Sequence, residues 1–262
     1  MGQTGNQIIM KFKTDIDIQE SIWKIEPQTS VLFLGSCFAD NIGKMFLDNA
    51  FHVLVNPQGT LYNPASISRV IVEANSRDFM KTTSPLLVFI TLGTNHVYRL
   101  KSTGEIVINC QKRPASLFQE EKLSIDECSE YLQKTVDAVR QTNPEAKIIF
   151  TVSPIRYAKY GFHESQLSKS ILLVAADKVI SHNANCTYFP AYEIVVDELR
   201  DYRYYNPDML HPSMQTVEYI WERLVDTYFS SAAKTLPAFC SRSPKSCVPW
   251  CPNSKTRWGF PK

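Results

Sequence analysis

The chain has 262 residues, a formal net charge of +2, 44% hydrophobic residues and 21% charged residues. This composition is typical of a globular protein with a sizeable core, and the lack of any Lys/Arg run argues against nucleic-acid binding. No apolar window approaches the length of a membrane span, and residues 1–13 lack the apolar segment of a secretory signal, so we expect a cytoplasmic protein without membrane contact.

Strand-like apolar runs alternate with helical patterns along the chain. The predicted strands cover residues 31–34, 52–55, 86–92, 148–152 and 186–189. The predicted helices cover residues 40–50, 65–75, 125–142, 164–182 and 214–229. This alternation predicts an α/β fold in which five strands form a parallel sheet with helices on both faces. After the third strand, segments 97–100 and 106–108 flank a Gly-containing turn and predict a β-hairpin insertion.

The order of these patterns divides the chain into three parts. We expect an N-terminal extension at 1–29, one α/β domain at 30–235 and an irregular tail at 236–262. The tail holds three of the seven cysteines, but it has no His nearby and wide ligand spacing, so no metal site is expected there. The other cysteines lie in or beside apolar runs, as reduced cysteines do: Cys37, Cys110, Cys128 and Cys186.

The first predicted strand ends in a sequence with two nucleophilic side chains. Gly35 stops the apolar run, and Ser36 and Cys37 follow directly, ahead of the first helical pattern. This order puts the Cys37 thiol at the positive end of a helix dipole, where thiolates are stabilised. The alternative is that Cys37 is a small buried residue at a tight turn.

Further polar residues follow the other predicted strands, and ligands of open parallel sheets bind at the carboxyl ends of the strands. Asp208 and His211 stand three residues apart, so the carboxylate can orient the imidazole as a base for a nucleophile. Gly59 can bring a backbone N–H close to a substrate oxygen. Asn95 offers a side-chain amide, so both are candidate oxyanion donors together with the Cys37 N–H. Each feature alone also fits an ordinary cap or turn.

Three more residues near the strand ends are candidates for substrate binding. Arg156 follows the fourth strand, where it can meet an anionic group or form a salt bridge with Asp201 or Glu193. Tyr205 belongs to an aromatic cluster that can stack on a sugar or acyl group, or simply pack within a long loop. Thr94 comes directly after the third strand and completes the set.

Short motifs over residues 30–225 occur in an order typical of one protein family. They begin with Gly35-Ser36-Cys37-Phe38-Ala39. The further motifs are Asn56-Pro57-Gln58-Gly59-Thr60, Leu92-Gly93-Thr94, Tyr98-Arg99-Leu100, Asn109-Cys110, Val152-Ser153-Pro154-Ile155-Arg156, Gln166-Leu167-Ser168-Lys169, Asp201-Tyr202-Arg203 and Asp208-Met209-Leu210-His211-Pro212. With these motifs the chain resembles the GSCFA family, within the GDSL/SGNH hydrolase superfamily.

The resemblance implies a three-layer α/β/α sandwich of the SGNH-hydrolase or flavodoxin-like type, and ester or thioester chemistry. It puts Cys37 in the place of the superfamily's nucleophilic Ser, and Ser36 in the place of the Asp before it. The remaining site positions of the superfamily fall on Gly59, Asn95, Asp208 and His211. A Cys for Ser suggests a thioester intermediate, and Ser36 stays open as the nucleophile. The chain departs from the family at Gln111 and Tyr157, where many members have His.

We therefore expect an enzyme that transfers an acyl group from a small-molecule or carbohydrate ester, or from a thioester, through a covalent acyl-enzyme. It would act as an esterase or an acyltransferase, without a cofactor. The alternative is a catalytically inactive protein with a hydrolase fold that binds a glycan or a small acylated ligand. A nucleotide- or flavin-binding protein is disfavoured, because no Gly-rich phosphate loop follows the first strand. The oligomeric state stays open.

Overall fold

A computed structural model describes residues 13–110 and 113–235, so the predicted tail at 236–262 lies outside the described residues. The strands are β1 (Ser30–Gly35), β2 (His52–Val55), β3 (Leu86–Leu92), β4 (His96–Leu100), β5 (Phe118–Lys122), β6 (Lys147–Val152) and β7 (Cys186–Tyr188). Five of them form one parallel sheet in the order β2-β1-β3-β6-β7. The chain passes from β1 to β2 on one side of β1, and β3 then lies on the other side of β1 and leads on to β6. The connections that follow β1 and β3 therefore leave the carboxyl ends of these neighbouring strands in opposite directions.

Helices connect the strands and cover the sheet. They are α1 (Cys37–Asp48), α2 (Pro64–Ile71), α3 (Ala74–Met80), α4 (Ile125–Thr142), α5 (Phe162–Ile180), α6 (Ala191–Glu193), α7 (Met214–Tyr228) and α8 (Ser231–Lys234). A π-helical segment, Ile194–Leu199, continues α6, and single 3₁₀ turns lie at Ala115–Leu117, Ala158–Tyr160 and Tyr202–Tyr204. No helix within the described ranges has both the length and the apolar character needed to cross a membrane.

The sheet is buried on both faces, which explains why its strands read as unbroken apolar runs. Leu32 and Leu34 of β1 join a cluster that includes residues of α2, α4 and α5. Val31 and Phe33 point the other way, into a cluster with residues of α1 and α7. These two clusters, one on each face, confirm the predicted α/β fold with a five-stranded parallel sheet between helical layers.

One local expectation differs from the structure, and another is extended by it. The pattern at 65–75 predicts one helix, but Glu73 has extended dihedrals and separates α2 from α3. The expected hairpin after β3 is present as an antiparallel bridge between Arg99 and Ile106, with a bond from the Val107 N–H to the Tyr98 carbonyl. In addition, β4 pairs with β5 over five consecutive residue pairs, which the sequence pattern did not predict.

The described part of the predicted N-terminal extension lies against the end of α7. The Ser21 N–H donates to the Thr227 carbonyl at 3.1 Å, and the Ile25 N–H donates to the Tyr228 carbonyl at 2.7 Å. Ile25 is also buried in the cluster around α1 and α7. This segment therefore contributes to the core on the α1 side of the sheet.

Gly35, the last residue of β1, lies so close to β3 that no side chain fits. It pairs with Thr91 in the parallel register and has a φ of +139°. A Cβ at Gly35 would lie 2.1 Å from the Thr91 carbonyl oxygen and 2.4 Å from Thr91 Oγ1. The turn into α1 thus depends on this glycine, both for its backbone conformation and for its contact with β3.

Gly35→Ala is expected to lower the free energy of unfolding by roughly 3 kcal/mol, because strain and overlap with Thr91 act together. Gly104→Ala is the control: Gly104 has a φ of +71°, but no heavy atom lies within 4 Å of its Cβ position. The control is expected to lose only about 1 kcal/mol. Urea denaturation of both variants gives the two values, and equal losses would contradict the argument.

Candidate active site

Cys37 is the first residue of α1 and stands directly beyond the end of β1. Its side chain is half-buried, and among the described residues its Sγ has one hydrogen-bond partner, the Tyr62 hydroxyl at 3.9 Å. Burial raises the pKa of the Cys37 thiol and outweighs the bond from Tyr62, which lowers it. The expectation of a thiolate stabilised by the helix dipole is therefore not met: the resting group is a thiol that needs a base.

Ser36 caps α1 from inside the protein. Its side chain is fully buried, and its Oγ accepts the Phe38 N–H at 3.3 Å and lies 3.2 Å from Thr91 Oγ1. The Ser36 N–H donates to Thr91 Oγ1 at 2.9 Å. These bonds make Ser36 a helix cap, and the hydroxyl that the sequence left open as a nucleophile does not face a substrate.

Asp208 and His211 form the hydrogen-bonded pair that their spacing predicts. Asp208 Oδ2 lies 2.6 Å from His211 Nδ1, while Oδ1 accepts the N–H groups of Leu210 at 2.9 Å and His211 at 3.0 Å. These backbone donors, followed by the imidazole, lower the pKa of Asp208 to about 2. The carboxylate therefore stays ionised at neutral pH and favours the tautomer with the proton on Nδ1, which leaves Nε2 as the basic nitrogen.

Arg156 ties the loop after β6 to the loop that carries this pair. Its N–H donates to the Leu210 carbonyl at 3.0 Å, and its Nη1 donates to the Met209 carbonyl at 2.8 Å. The guanidinium also lies 5.6 Å from the ring centre of Tyr205, so these two predicted binding residues are in contact. Arg156 thus positions the backbone of the Asp208–His211 loop, whose Met209 has a φ of +58°.

Neither salt bridge considered for Arg156 is present in the described residues. Asp201 pairs with Arg203 at 2.8 Å, and Glu193 accepts the Tyr188 hydroxyl at 3.0 Å. Beyond its bond to the loop, the guanidinium has no further hydrogen bond within the described ranges, and it borders a cavity of about 250 Å³. That cavity is lined by Arg156, Val195, Val196, Arg200, Asp201, Tyr202 and Tyr205.

Cys37 follows the carboxyl end of β1, and the Asp208–His211 loop is bonded through the Leu210 carbonyl to Arg156, which lies beyond the carboxyl end of β6. Cys37 and Tyr205 both pack against the cluster around α1 and α7. Within the described ranges, however, no hydrogen bond joins the His211 ring to Cys37 Sγ; the thiol bonds to Tyr62 instead.

Gly59 has its backbone N–H engaged within its own turn. The N–H donates to the Asn56 carbonyl at 2.8 Å. The residue has a φ of +85°, a backbone conformation that favours glycine at this position. Asn56 in turn accepts the Gly35 N–H at 2.8 Å and donates to Asp40 at 2.7 Å. The loop is thus bound firmly beside α1, but the Gly59 N–H is not available for an oxyanion.

Asn95 and Thr94 are also structural. Asn95 is buried, and its amide donates to the Leu123 carbonyl at 2.7 Å, so it fixes the segment between β5 and α4. Thr94 is buried as well, with its hydroxyl 3.0 Å from Ser168 Oγ. The structure therefore does not bring Asn95 or Thr94 into the site as a donor or a substrate contact.

Sequence reasoning gave no role to three residues that form a chain of contacts leading away from Cys37, namely Tyr62, Tyr157 and Lys169. Tyr62 contacts the thiol directly, and Tyr157 has a buried hydroxyl with no partner in the described part of the chain. Behind them, Lys169 is buried, and its Nζ donates to the carbonyls of Gly93 at 2.8 Å and Ser153 at 2.7 Å. The one visible sign was a lysine on the apolar side of a helical pattern, at Lys169. No group of His, Cys, Asp and Glu in the described residues could hold a metal ion.

A comparison with protein families shows the family of this chain. The sequence model of the GSCFA family matches residues 30–86 and 74–224, so the chain belongs to the GSCFA family. A search of curated proteins finds no match.

Several solved structures are similar to this chain at low sequence identity. One is from Parabacteroides merdae and is assigned as a GDSL-like lipase, with 12% identity, 76% of this chain and 96% of that chain covered, and a TM-score of 0.49. A family 3 carbohydrate esterase from Talaromyces cellulolyticus has 14% identity, coverage of 75% and 94%, and a TM-score of 0.43. A lipolytic protein of the G-D-S-L family from Veillonella parvula has 11% identity, coverage of 76% and 98%, and a TM-score of 0.45.

Asn95→Ala tests whether this residue is structural. The substitution leaves the Leu123 carbonyl without its donor and is expected to lower the free energy of unfolding by about 2 kcal/mol. The rate at which iodoacetamide or an activated ester modifies Cys37 should not change. Urea denaturation and mass spectrometry give the two quantities. Slower acylation of Cys37 in a variant of normal stability would instead support the oxyanion role.

Lys169 is expected to make stability depend on pH. Burial lowers the pKa of Lys169 from 10.5 to about 7 in the folded protein. Above pH 7 the unfolded chain therefore binds more protons than the folded one, and the free energy of unfolding rises with pH. Relative to Lys169→Met, wild type should gain about 1 kcal/mol per pH unit between pH 7 and pH 9.

The control for this measurement is Lys178→Met, which removes an exposed lysine from the same helix. Urea denaturation at each pH gives the wild-type-minus-variant difference, in which the other titrating groups largely cancel. If the wild-type-minus-variant difference in the free energy of unfolding changes with pH in the same way for Lys169→Met and for Lys178→Met, Lys169 does not titrate between pH 7 and pH 9.

Proposed function

We propose that this protein catalyses acyl transfer from an ester or thioester through a covalent acyl group on Cys37. The observation that carries the proposal is the preformed Asp208–His211 pair, with 2.6 Å between Oδ2 and Nδ1, in a loop bonded to Arg156 beyond the carboxyl end of β6, while the half-buried thiol stands beyond the carboxyl end of β1. A carboxylate–imidazole pair near a nucleophile is the arrangement that activates serine and cysteine nucleophiles.

The reaction begins when His211 Nε2 takes the proton of Cys37. The thiolate attacks the carbonyl carbon, a C–S bond forms, and the carbonyl electron pair moves onto oxygen. Collapse of this intermediate breaks the bond to the leaving group, which receives the proton from His211. Water, or a second hydroxyl such as that of a sugar, then attacks the thioester with His211 as base and restores the thiol.

The raised pKa of the Cys37 thiol makes the base essential to this scheme. Without His211, little thiolate would be present at neutral pH, and acylation would depend on hydroxide alone. Asp208 stays ionised, holds the ring orientation and stabilises the imidazolium that forms.

The substrate would lie between Cys37 and the Arg156 side of the site. Arg156 and Tyr205 border the cavity of about 250 Å³ and offer free guanidinium N–H groups with an aromatic surface. These groups suit a small-molecule or carbohydrate ester, with the sugar or acyl portion stacked on the ring.

A second candidate is a binding protein with a hydrolase fold and no turnover. It is favoured by two observations: burial raises the pKa of the Cys37 thiol, and the Gly59 N–H and Asn95 amide are both engaged elsewhere. It would hold a glycan or an acylated ligand through Arg156 and Tyr205. The two candidates differ in whether Cys37 becomes acylated.

Incubation with p-nitrophenyl acetate, followed by intact-protein mass spectrometry, separates them. Wild type should gain one acetyl group, Cys37→Ala should gain none, and His211→Ala should react about 10²-fold more slowly. Ser36→Ala should still be acetylated, because the buried hydroxyl serves as a helix cap.

Cys110→Ala is the matched control, since Cys110 is the other half-exposed cysteine of the described residues. It should be acetylated like wild type. An adduct lost only in Ser36→Ala would move the nucleophile to Ser36. The absence of any adduct on wild type would favour the binding protein.

A further inference from the structure

Two of the three oxyanion donors that the sequence predicts, Gly59 and Asn95, are engaged in other hydrogen bonds. The Gly59 N–H donates to the Asn56 carbonyl, and the Asn95 amide donates to the Leu123 carbonyl. The Cys37 N–H remains, as one of the first N–H groups of α1, which find no acceptor inside their own helix. A carbonyl oxygen that gains negative charge needs further preorganised donors, so other groups near Cys37 must supply them.

The Tyr62 hydroxyl is in place to be such a donor. It lies 3.9 Å from Cys37 Sγ and is the one side-chain hydrogen-bonding group that contacts the thiol in the described residues. In an acyl-cysteine the carbonyl oxygen is only two bonds from the sulfur. A group that reaches Sγ therefore also reaches the space where that oxygen will lie.

The backbone of Tyr62 is held to the ends of two central strands. Its carbonyl accepts the N–H groups of Gly93 at 2.9 Å and Thr94 at 2.7 Å, both directly after β3. The neighbouring Leu61 N–H donates to the Gly35 carbonyl at 2.7 Å, at the end of β1. The phenol thus projects from rigid backbone toward Cys37, as electrostatic preorganisation requires.

Tyr62 keeps its proton under working conditions. Burial, followed by the nearby Cys37, raises the pKa of Tyr62 to about 12. The hydroxyl therefore acts as a hydrogen-bond donor to an oxyanion and is not deprotonated by the thiolate near neutral pH.

Tyr157 adds an independent sign that a ligand oxygen belongs here. Its ring meets the Tyr62 ring edge-on at a centroid distance of 6.2 Å, and its buried hydroxyl has no partner among the described residues. A Cβ at Gly93 would lie 2.5 Å from this hydroxyl, so Gly93 makes room for it. A buried donor without an acceptor is costly, and a substrate oxygen would remove that cost.

We infer that Tyr62, with Tyr157 beside it, donates the hydrogen bond that stabilises the carbonyl oxygen of the acyl group on Cys37. This role rests on the proposed acyl transfer and replaces Gly59 and Asn95 as the source of the donors. When water attacks the thioester carbon, the carbonyl electron pair moves to oxygen and the Tyr62 O–H bonds to it without transferring its proton. As the C–S bond breaks, the oxygen returns to a carbonyl.

Tyr62→Phe tests this role in the deacylation step, where no thiolate is needed as a nucleophile. Wild type and variant are acetylated at Cys37 with p-nitrophenyl acetate, desalted, and followed by intact mass as the acetyl group is lost. Loss of one oxyanion donor is expected to slow deacetylation about 10²-fold or more. Tyr157→Phe should also slow deacetylation, and it provides a second test of the inference if Tyr62→Phe folds poorly. Tyr131→Phe, on α4 at the other face of the sheet, is the control and should match wild type.

The outcomes are distinguishable. Deacetylation at the wild-type rate in Tyr62→Phe and Tyr157→Phe would overturn the inference while leaving Cys37 as the nucleophile. A change confined to the pH profile of Cys37 alkylation would also overturn it, since Tyr62 would then act on the thiol alone. Failure of wild type to acquire an acetyl group would overturn the proposed function and this inference with it.

Discussion

The close approach of β1 and β3 at Gly35 and Thr91 is the constraint on which the site depends. With no Cβ at Gly35, the chain can turn directly against β3, and Thr91 then binds the Ser36 N–H and lies against the Ser36 hydroxyl. Ser36 caps α1, so Cys37 becomes the first helical residue and stands clear of the sheet. One steric contact thus sets the position of the thiol.

The other half of the site is held by backbone carbonyls rather than by ion pairs. Arg156 binds the carbonyls of Met209 and Leu210 through its guanidinium and its own N–H, which keeps the Asp208–His211 loop at the end of β6. Between the halves, Lys169 bonds to carbonyls at the ends of β3 and β6. Both cations bridge chain segments that have no regular pairing, and for Lys169, which is buried, this carries the cost of desolvating a charge.

Much of the fold could be predicted because the spacing of apolar residues along the sequence reflects which sides of each strand and helix are buried. Strands covered on both faces must be apolar throughout, and the helices show one apolar side, so the parallel sheet and its flanking layers were correctly expected. The Asp208–His211 contact could also be predicted, since three residues of separation bring the two side chains into reach within one turn. The pairing of β4 with β5 could not, because the segment that becomes β5 lies well beyond the turn at Gly104 and shows no strand pattern of its own.

The sequence by itself determined the layer order, the turn at Gly35-Ser36-Cys37 and the local Asp208–His211 pair, because these depend on short-range patterns and on the sterics of single residues. Only the tertiary structure decided which donors face the thiol. Whether the Asn95 amide is free depends on an acceptor brought near by folding, the Leu123 carbonyl, whereas the Gly59 N–H is taken by Asn56 within its own turn. The same folding carries Tyr62 to Cys37, across 25 residues of chain.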